Sequence, residues 1–260
     1  MGALHDGHLS LIERARELSD AIVVSIFVNP LQFGEAADFD TYPRPIDDDV
    51  EVCARAGVSV VYVPTIDAMY PPGFDTRVVP GRLAATMEGA SRPGHFDGVA
   101  TVVAKLFGAV RPDIACFGEK DYQQLAIVRR MAADLDVGVR IFGCPTQRED
   151  DGLALSSRNR RLRPDQRLAA RCIPGAIAAA RTSAQRGNGA DAVLAAARDV
   201  IAAEPLASLD YVTLFDPDTL EDVDRLPVSA GRGCRLALAV RIGEVRLIDN
   251  VDLLTELHRV

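Results

Sequence analysis

Four short apolar runs, each set off from the next by a helical pattern, narrow the choice of fold more than anything else in the chain. They are residues 21–28 (AIVVSIFV), 58–63 (VSVVYV), 113–117 (DIACF) and 137–142 (VGVRIF). They are rich in branched side chains and lack polar alternation, which suits strands covered on both faces, as in a parallel sheet. Helices are expected between and around them, at 9–19, 47–56, 99–110 and 122–135. In the first of these, Leu9, Leu11, Ile12, Ala15 and Leu18 fall largely on one face, and Glu13, Arg14, Arg16 and Glu17 mostly on the other. Strands alternating with helices predict an α/β fold, a doubly wound parallel sheet. Ligands of such sheets bind at the carboxyl ends of the strands.

Beyond the fourth run the texture changes. Residues 164–186 and 189–203 are rich in alanine and arginine and read as helices, with Pro174 expected to kink or interrupt the first. Residues 209–215, 234–242 and 244–251 read as antiparallel strands, the last two joined by a turn near Gly243. The expected organisation is a nucleotide-binding α/β domain over 1–146 and a smaller α+β unit over 147–260.

Composition excludes several classes. A chain of 260 residues, 48% hydrophobic and 25% charged, has the makings of a core and is not disordered as a whole. Its formal net charge of −8 argues against a nucleic-acid scaffold but leaves room for a local basic pocket that takes phosphate. No apolar stretch approaches the ~20 residues of a membrane span, and the first residues lack the layout of a secretory signal. Five widely spaced cysteines, an odd number, fit reduced thiols in a cytoplasmic protein better than a disulfide framework or a zinc site.

Six segments can carry chemistry, and each has a plainer reading beside it. In MGALHDGH, His5 and His8 lie three apart at the start of a helix, where exposed N–H groups and the helix dipole favour a phosphate; a packed helix-entry turn is the alternative. FVNPLQF ends a strand and offers the amides of Asn29 and Gln32 to hydroxyls or a carboxylate, or forms a simple Asn-Pro turn. The run Asp47, Asp48, Asp49 after YPR suits the first turn of a helix, and one or two of its carboxylates can hold Mg²⁺. RPGHFDGV, with Arg92 and His95, is a clamp or a solvated loop. FGEKDYQQ places Lys120, Asp121 and Gln124 where a strand gives way to a helix, as ligands to phosphate, ribose and a second ligand, or as an ion-pair cluster. DGLALSSRN sets Ser156 and Ser157 beside Arg158, a phosphate grip or a helix cap.

In this order, MGALHDGH, FVNPLQF, YPR with its aspartates, RPGHFDGV, FGEKDYQQ and DGLALSSRN resemble the pantothenate synthetase (pantoate–β-alanine ligase) family. The resemblance implies a Rossmann-like fold, a homodimer, and a two-step ligation. Pantoate and ATP give pantoyl adenylate and pyrophosphate, and β-alanine then displaces AMP. It assigns His5, His8, Lys120, Ser156, Ser157 and Arg158 to the phosphates and to catalysis. Met1, Gly118, Asp121 and Leu155 join them around ATP, and Gln32, Gln124 and Asn29 go to pantoate. Tyr42, Arg92 and His95 are surrounding positions, and Asp48 and Asp49 are the carboxylates nearest to Mg²⁺. Family members normally begin some tens of residues earlier, with a strand that runs into a Pro-Thr pair. The expectation is therefore a domain without its usual first strand, through a late start or a truncation. An inactive nucleotide-binding remnant stands as the alternative to the ligase. Leu155 replaces a methionine, a change that conserves volume, and Asp150 replaces a small residue and adds a negative charge near the phosphate grip.

Overall fold

The computed structural model describes residues 1–32, 43–226 and 233–253. Its chain divides into two compact units, Met1–Pro145 and Thr146–Val260.

The first unit alternates helices and parallel strands. Helix α1 (Asp6–Leu18) leads to β1 (Val23–Ser25), α2 (Ile46–Arg55) and β2 (Val60–Tyr62). Two short helices, α3 (Ile66–Met69) and α4 (Met87–Ser91), precede the long α5 (His95–Val110), and β3 (Ile114–Gly118), α6 (Tyr122–Asp134) and β4 (Arg140–Cys144) complete the unit. Strands β1 and β2 pair in parallel, Val23 beside Val60, as do β3 and β4, with Ile114 beside Arg140. Among the described residues the two pairs are not joined into one ladder. The first residue of the chain runs along β1 and its extension: the Met1 amino group donates to the Ser25 carbonyl at 2.8 Å, and Phe27 N–H donates to the Met1 carbonyl at 3.1 Å.

Two apolar clusters hold these layers. Leu4 and Ile12 pack with Ile22, Val24, Ile26 and Cys53, tying α1 and α2 to β1. Phe96, Val99, Phe107, Ile127, Val128 and Met131 bring α5 and α6 onto Ala115, Phe117 and Ile141 of the second pair. Burying an aromatic or large aliphatic side chain of this kind contributes ~1.5–3 kcal/mol, so each helix is held far more strongly than its intrinsic propensity would hold it. Phe107 meets Phe117 edge to face at 6.5 Å.

In the second unit, α7 (Pro164–Ala169), α8 (Cys172–Gln185) and α9 (Ala190–Ala202) cover an antiparallel sheet of β5 (Ala207–Phe215), β6 (Arg235–Ile242) and β7 (Val245–Asp252) in that order. The alanines of α8 and α9 let the helices approach closely: Ala176, Ala180, Val193 and Ala197 all sit in the core with Leu236, Leu238 and Val240. The interruption expected from Pro174 falls at Ala170 and Arg171, upstream of the proline itself. Pro174 lies in the first turn of α8, where it has no intrahelical donor to lose, and its ring clashes four residues back, at the carbonyl of Ala170. Strand β4 also begins later than the apolar run, at Arg140, because Gly138 takes a positive φ of 76° and belongs to the preceding turn.

Candidate active site

The paired histidines sit at the entrance to α1, His5 as the capping residue and His8 one turn on. Their rings lie 4.1 Å apart at 42°. His5 N–H donates to His8 Nδ1 at 3.3 Å, which leaves Nε2 as the protonated nitrogen and a donor. Burial, then His5 and the amino terminus, push the His8 imidazole down to about 3; Lys120 adds to the depression and Asp121 opposes it. At neutral pH His8 is therefore a neutral N–H donor rather than a cation.

Asp49 of α2 holds this turn. Its two oxygens accept from Ala3 N–H at 2.8 Å and Leu4 N–H at 2.7 Å, and it is only 3% exposed. Ala3 carries a left-handed φ of 50°, a conformation that a residue with a Cβ adopts only when its neighbours enforce it.

Lys120 and Asp121 leave the end of β3 in a 3-10 turn, Glu119–Asp121, that runs into α6. The Lys120 ammonium, 19% exposed, lies 3.8 Å from the Asp121 carboxylate. Both groups act on the His8 imidazole, and Asp121 also acts on that of His95, so the acid stands within electrostatic reach of both histidines. A Cβ added at Gly118 would meet open space, which leaves the backbone there approachable. Of the two glutamines that follow, Gln123 is buried and fully used. It donates to the Leu83 and Thr86 carbonyls, each at 2.8 Å, and accepts from Glu88 N–H at 3.0 Å. Gln124 beside it is half-buried.

Asn29 and Gln32 flank the 3-10 turn Pro30–Gln32, against which α5 packs. That approach depends on Gly98, where a Cβ would come within 2.2 Å of the Leu31 carbonyl oxygen. Asn29, 1% exposed, accepts from the Tyr70 hydroxyl at 2.7 Å and from Leu31 N–H at 3.2 Å. Its amide donates to the Gly98 carbonyl at 3.0 Å and to Gln32 Oε1 at 3.4 Å. These protein partners fix the Asn29 side chain and place it against Gln32. The Gln32 carbonyl is gripped by His95 Nδ1 at 2.8 Å and Arg92 Nη2 at 3.1 Å. Burial and the adjacent Arg92 push His95 down to about 4. Tyr42 lies outside the described residues.

In the second unit, Arg148–Ala154 forms a tight antiparallel bridge closed at Gly152, whose φ is 86°. It delivers Leu155, whose N–H donates to the Gln147 carbonyl at 2.9 Å, and then Ser156 and the 3-10 turn Ser157–Arg161. Ser156 Oγ accepts from Arg158 N–H at 3.2 Å, a capping role, and its own O–H remains available to donate.

The two carboxylates expected near Mg²⁺ are placed differently from one another. Asp49 accepts through both oxygens from the Ala3–Leu4 backbone and anchors that turn; Asp48 is exposed in the first turn of α2. Among the described residues no group of three or more His, Cys, Asp or Glu side chains is placed to hold a metal. Within the first unit the structure thus brings together His5, His8, Lys120 and Asp121, and sets Gln32, Arg92 and His95 close by. The supporting roles of Gln123, Tyr70 and Asp49 are not visible in the sequence, because their partners are main-chain groups or residues far along the chain.

A profile of the family described as pantoate-beta-alanine ligase matches residues 1–252. The pantothenate synthetase of Nocardioides sp. is 52% identical over 98% of this chain and 77% of its own length, and that of Rhizorhabdus wittichii is 51% identical over 96% and 88%. The crystal structure of pantothenate synthetase from Thermus thermophilus superposes with a TM-score of 0.92 at 48% identity, covering 97% of this chain and 91% of that one. The Francisella tularensis pantoate-beta-alanine ligase, crystallised with beta-gamma ATP and beta-alanine, gives a TM-score of 0.79 at 36% identity over 98% and 88%.

Proposed function

The chain belongs to the pantoate–β-alanine ligase family, and on that premise we propose how its own residues divide the ATP-dependent joining of pantoate to β-alanine. In the first step the pantoate carboxylate attacks the α-phosphorus and pyrophosphate leaves. In the second, the β-alanine amine attacks the acyl carbon of pantoyl adenylate and AMP leaves.

The first step joins two anions. The Lys120 ammonium and the N–H donors of His5 and His8 offset charge on the α-phosphate, and they gain most where charge grows in the transition state. Asp121 accepts from the ribose hydroxyls, and the Met1, Gly118 and Leu155 segments border the nucleotide. Gln32 and Gln124 orient pantoate through its hydroxyls and carboxylate, while Asn29, Arg92 and His95 hold Gln32. Ser156, Ser157 and Arg158, carried by the second unit, bind the phosphates that leave. Magnesium would be held between the ATP phosphates and the Asp48 and Asp49 region, where it would offset phosphate charge. The second step needs no covalent enzyme group, because the adenylate is already the activated acyl donor. A cytoplasmic homodimer is inferred from family membership, and the five free thiols agree with the compartment.

The observation that carries this reading is the locked His5–His8 turn, fixed by Asp49 and placed within the fields of Lys120 and Asp121. It is tested by pantoate-dependent exchange of labelled pyrophosphate into ATP, together with pantothenate formation when β-alanine is added. Exchange that needs pantoate but not β-alanine is the expected result. Exchange equally supported by other hydroxy acids would overturn the assignment of Gln32 and Gln124.

A further inference from the structure

The turn that carries Ser157 and Arg158 has no buried residue of its own. Five residues of 3-10 helix with three arginines in the last turn cannot hold one geometry by local propensity, since the hydrogen-bond geometry of such a run is poor and its like charges repel. Something outside the turn must fix it, and the structure shows a chain of charged hydrogen bonds that does so.

The chain begins on α7. Arg167 Nη1 donates to Asp151 Oδ2 at 2.6 Å and Nη2 donates to Asp151 Oδ1 at 3.0 Å, a two-pronged grip. The same Nη2 reaches Glu149 Oε2. Glu149 in turn accepts from Asn159 Nδ2 at 2.6 Å through its other oxygen, and Asn159 Nδ2 also donates to the Ala154 carbonyl at 3.0 Å. Asn159 is inside the turn, and its main chain closes that turn, with its N–H on the Ser156 carbonyl at 3.0 Å and its carbonyl receiving Leu162 N–H at 3.2 Å. The opposite side of the loop is tied by Arg148, whose guanidinium makes two bonds to the buried Asp249 carboxylate, at 2.6 and 3.0 Å, and one to the Gly152 carbonyl at 2.9 Å. These groups are half-buried, where charge-assisted bonds are stronger than at an exposed surface. Hydrogen bonding to Arg167 holds the Asp151 carboxyl below its usual range.

We propose that Arg167 is a positioning residue for adenylation: through Glu149 and Asn159 it sets where the Ser156–Arg158 turn presents its hydroxyls and guanidinium. The proposal rests on the reading that this turn binds phosphate. A planar fork is required, because only a guanidinium engages both oxygens of Asp151 and reaches Glu149 at once. Lysine at this place retains the charge and loses the direction.

The test separates the two half-reactions of the full chain. In Arg167→Met, pantoate-dependent ATP–pyrophosphate exchange is expected to fall by ~30-fold through kcat, as displacement of a phosphate ligand by about an ångström would produce. The transfer of pantoyl from supplied pantoyl adenylate to β-alanine, which involves no pyrophosphate, should stay within about threefold of wild type. Arg167→Lys should recover part of the exchange, and it keeps the proposal testable should the methionine variant fail to fold. Loss of both half-reactions together in Arg167→Lys, or exchange at the wild-type rate in folded Arg167→Met, would overturn the positioning role. Arg158→Ala distinguishes the two levels: wild-type exchange in that variant would remove the phosphate reading itself, whatever Arg167 does.

Discussion

Replacing Asp49 by alanine should disable the histidine turn without touching either histidine. The carboxylate serves two backbone N–H groups, those of Ala3 and Leu4, at 2.8 and 2.7 Å, in residues only 2% and 8% exposed. Leaving a buried donor unsatisfied costs ~1–3 kcal/mol, so at about 2 kcal/mol each the two amount to about 4 kcal/mol. Release of Ala3 from its left-handed φ returns ~1 kcal/mol. The net loss is therefore about 3 kcal/mol, or roughly 6–12 °C in melting temperature for a chain of this size class. Asp49→Asn keeps one acceptor and turns an NH₂ group toward the second N–H, so it should lie between alanine and wild type. Thermal melts followed by far-UV circular dichroism give the stability, and pyrophosphate exchange gives the function, which should fall in both variants even well below the melt. A melting temperature within about 2 °C of wild type in Asp49→Ala, what less than 1 kcal/mol would give, contradicts the anchoring role. So does a restoration of exchange by excess Mg²⁺, which would return Asp49 to the metal.

Two further outcomes are expected. His8 and His95 are held neutral, at about 3 and about 4 against an ordinary 6.5, so the unfolded chain takes up protons below 6.5 that the folded chain refuses. Their contribution to stability is complete above 6.5 and is lost as the pH falls toward 4; urea midpoints should drop between about pH 7 and 5, and His8→Asn with His95→Asn should flatten that slope. An unchanged slope in the double variant would show that neither imidazole is buried as described. Gln124→Ala should weaken pantoate more than ATP, whereas Gln123→Ala, which frees Leu83, Thr86 and Glu88, should lower stability first; equal losses for both ligands in Gln124→Ala would contradict the division of the pocket.

The parallel strands, the long helices and the antiparallel carboxyl-terminal sheet were legible in the sequence because buried strands and amphipathic helices leave opposite periodicities. The side chains assigned here to chemistry lie in motifs that can be read from the sequence. Their supports cannot. Asp49 reads as one more acid in a helix's first turn, and nothing local says that its partners are backbone groups some 45 residues away. Asn29 reads as a strand-end amide, and nothing local announces its bonds to Tyr70 and Gly98, 41 and 69 residues away. Arg167 lies in an ordinary arginine-rich helix, and only the fold brings it to Glu149 and Asp151. Short helices such as α3 and α4 escaped because four or five residues show no periodicity.

The decisive test is the exchange of labelled pyrophosphate into ATP by Lys120→Ala at saturating pantoate. Removal of the lysine ammonium beside the imidazole pair should cost at least ~100-fold in rate, while the far-UV spectrum and melting temperature stay those of the unaltered chain. Wild-type exchange in that folded variant would mean that the phosphates are held somewhere else.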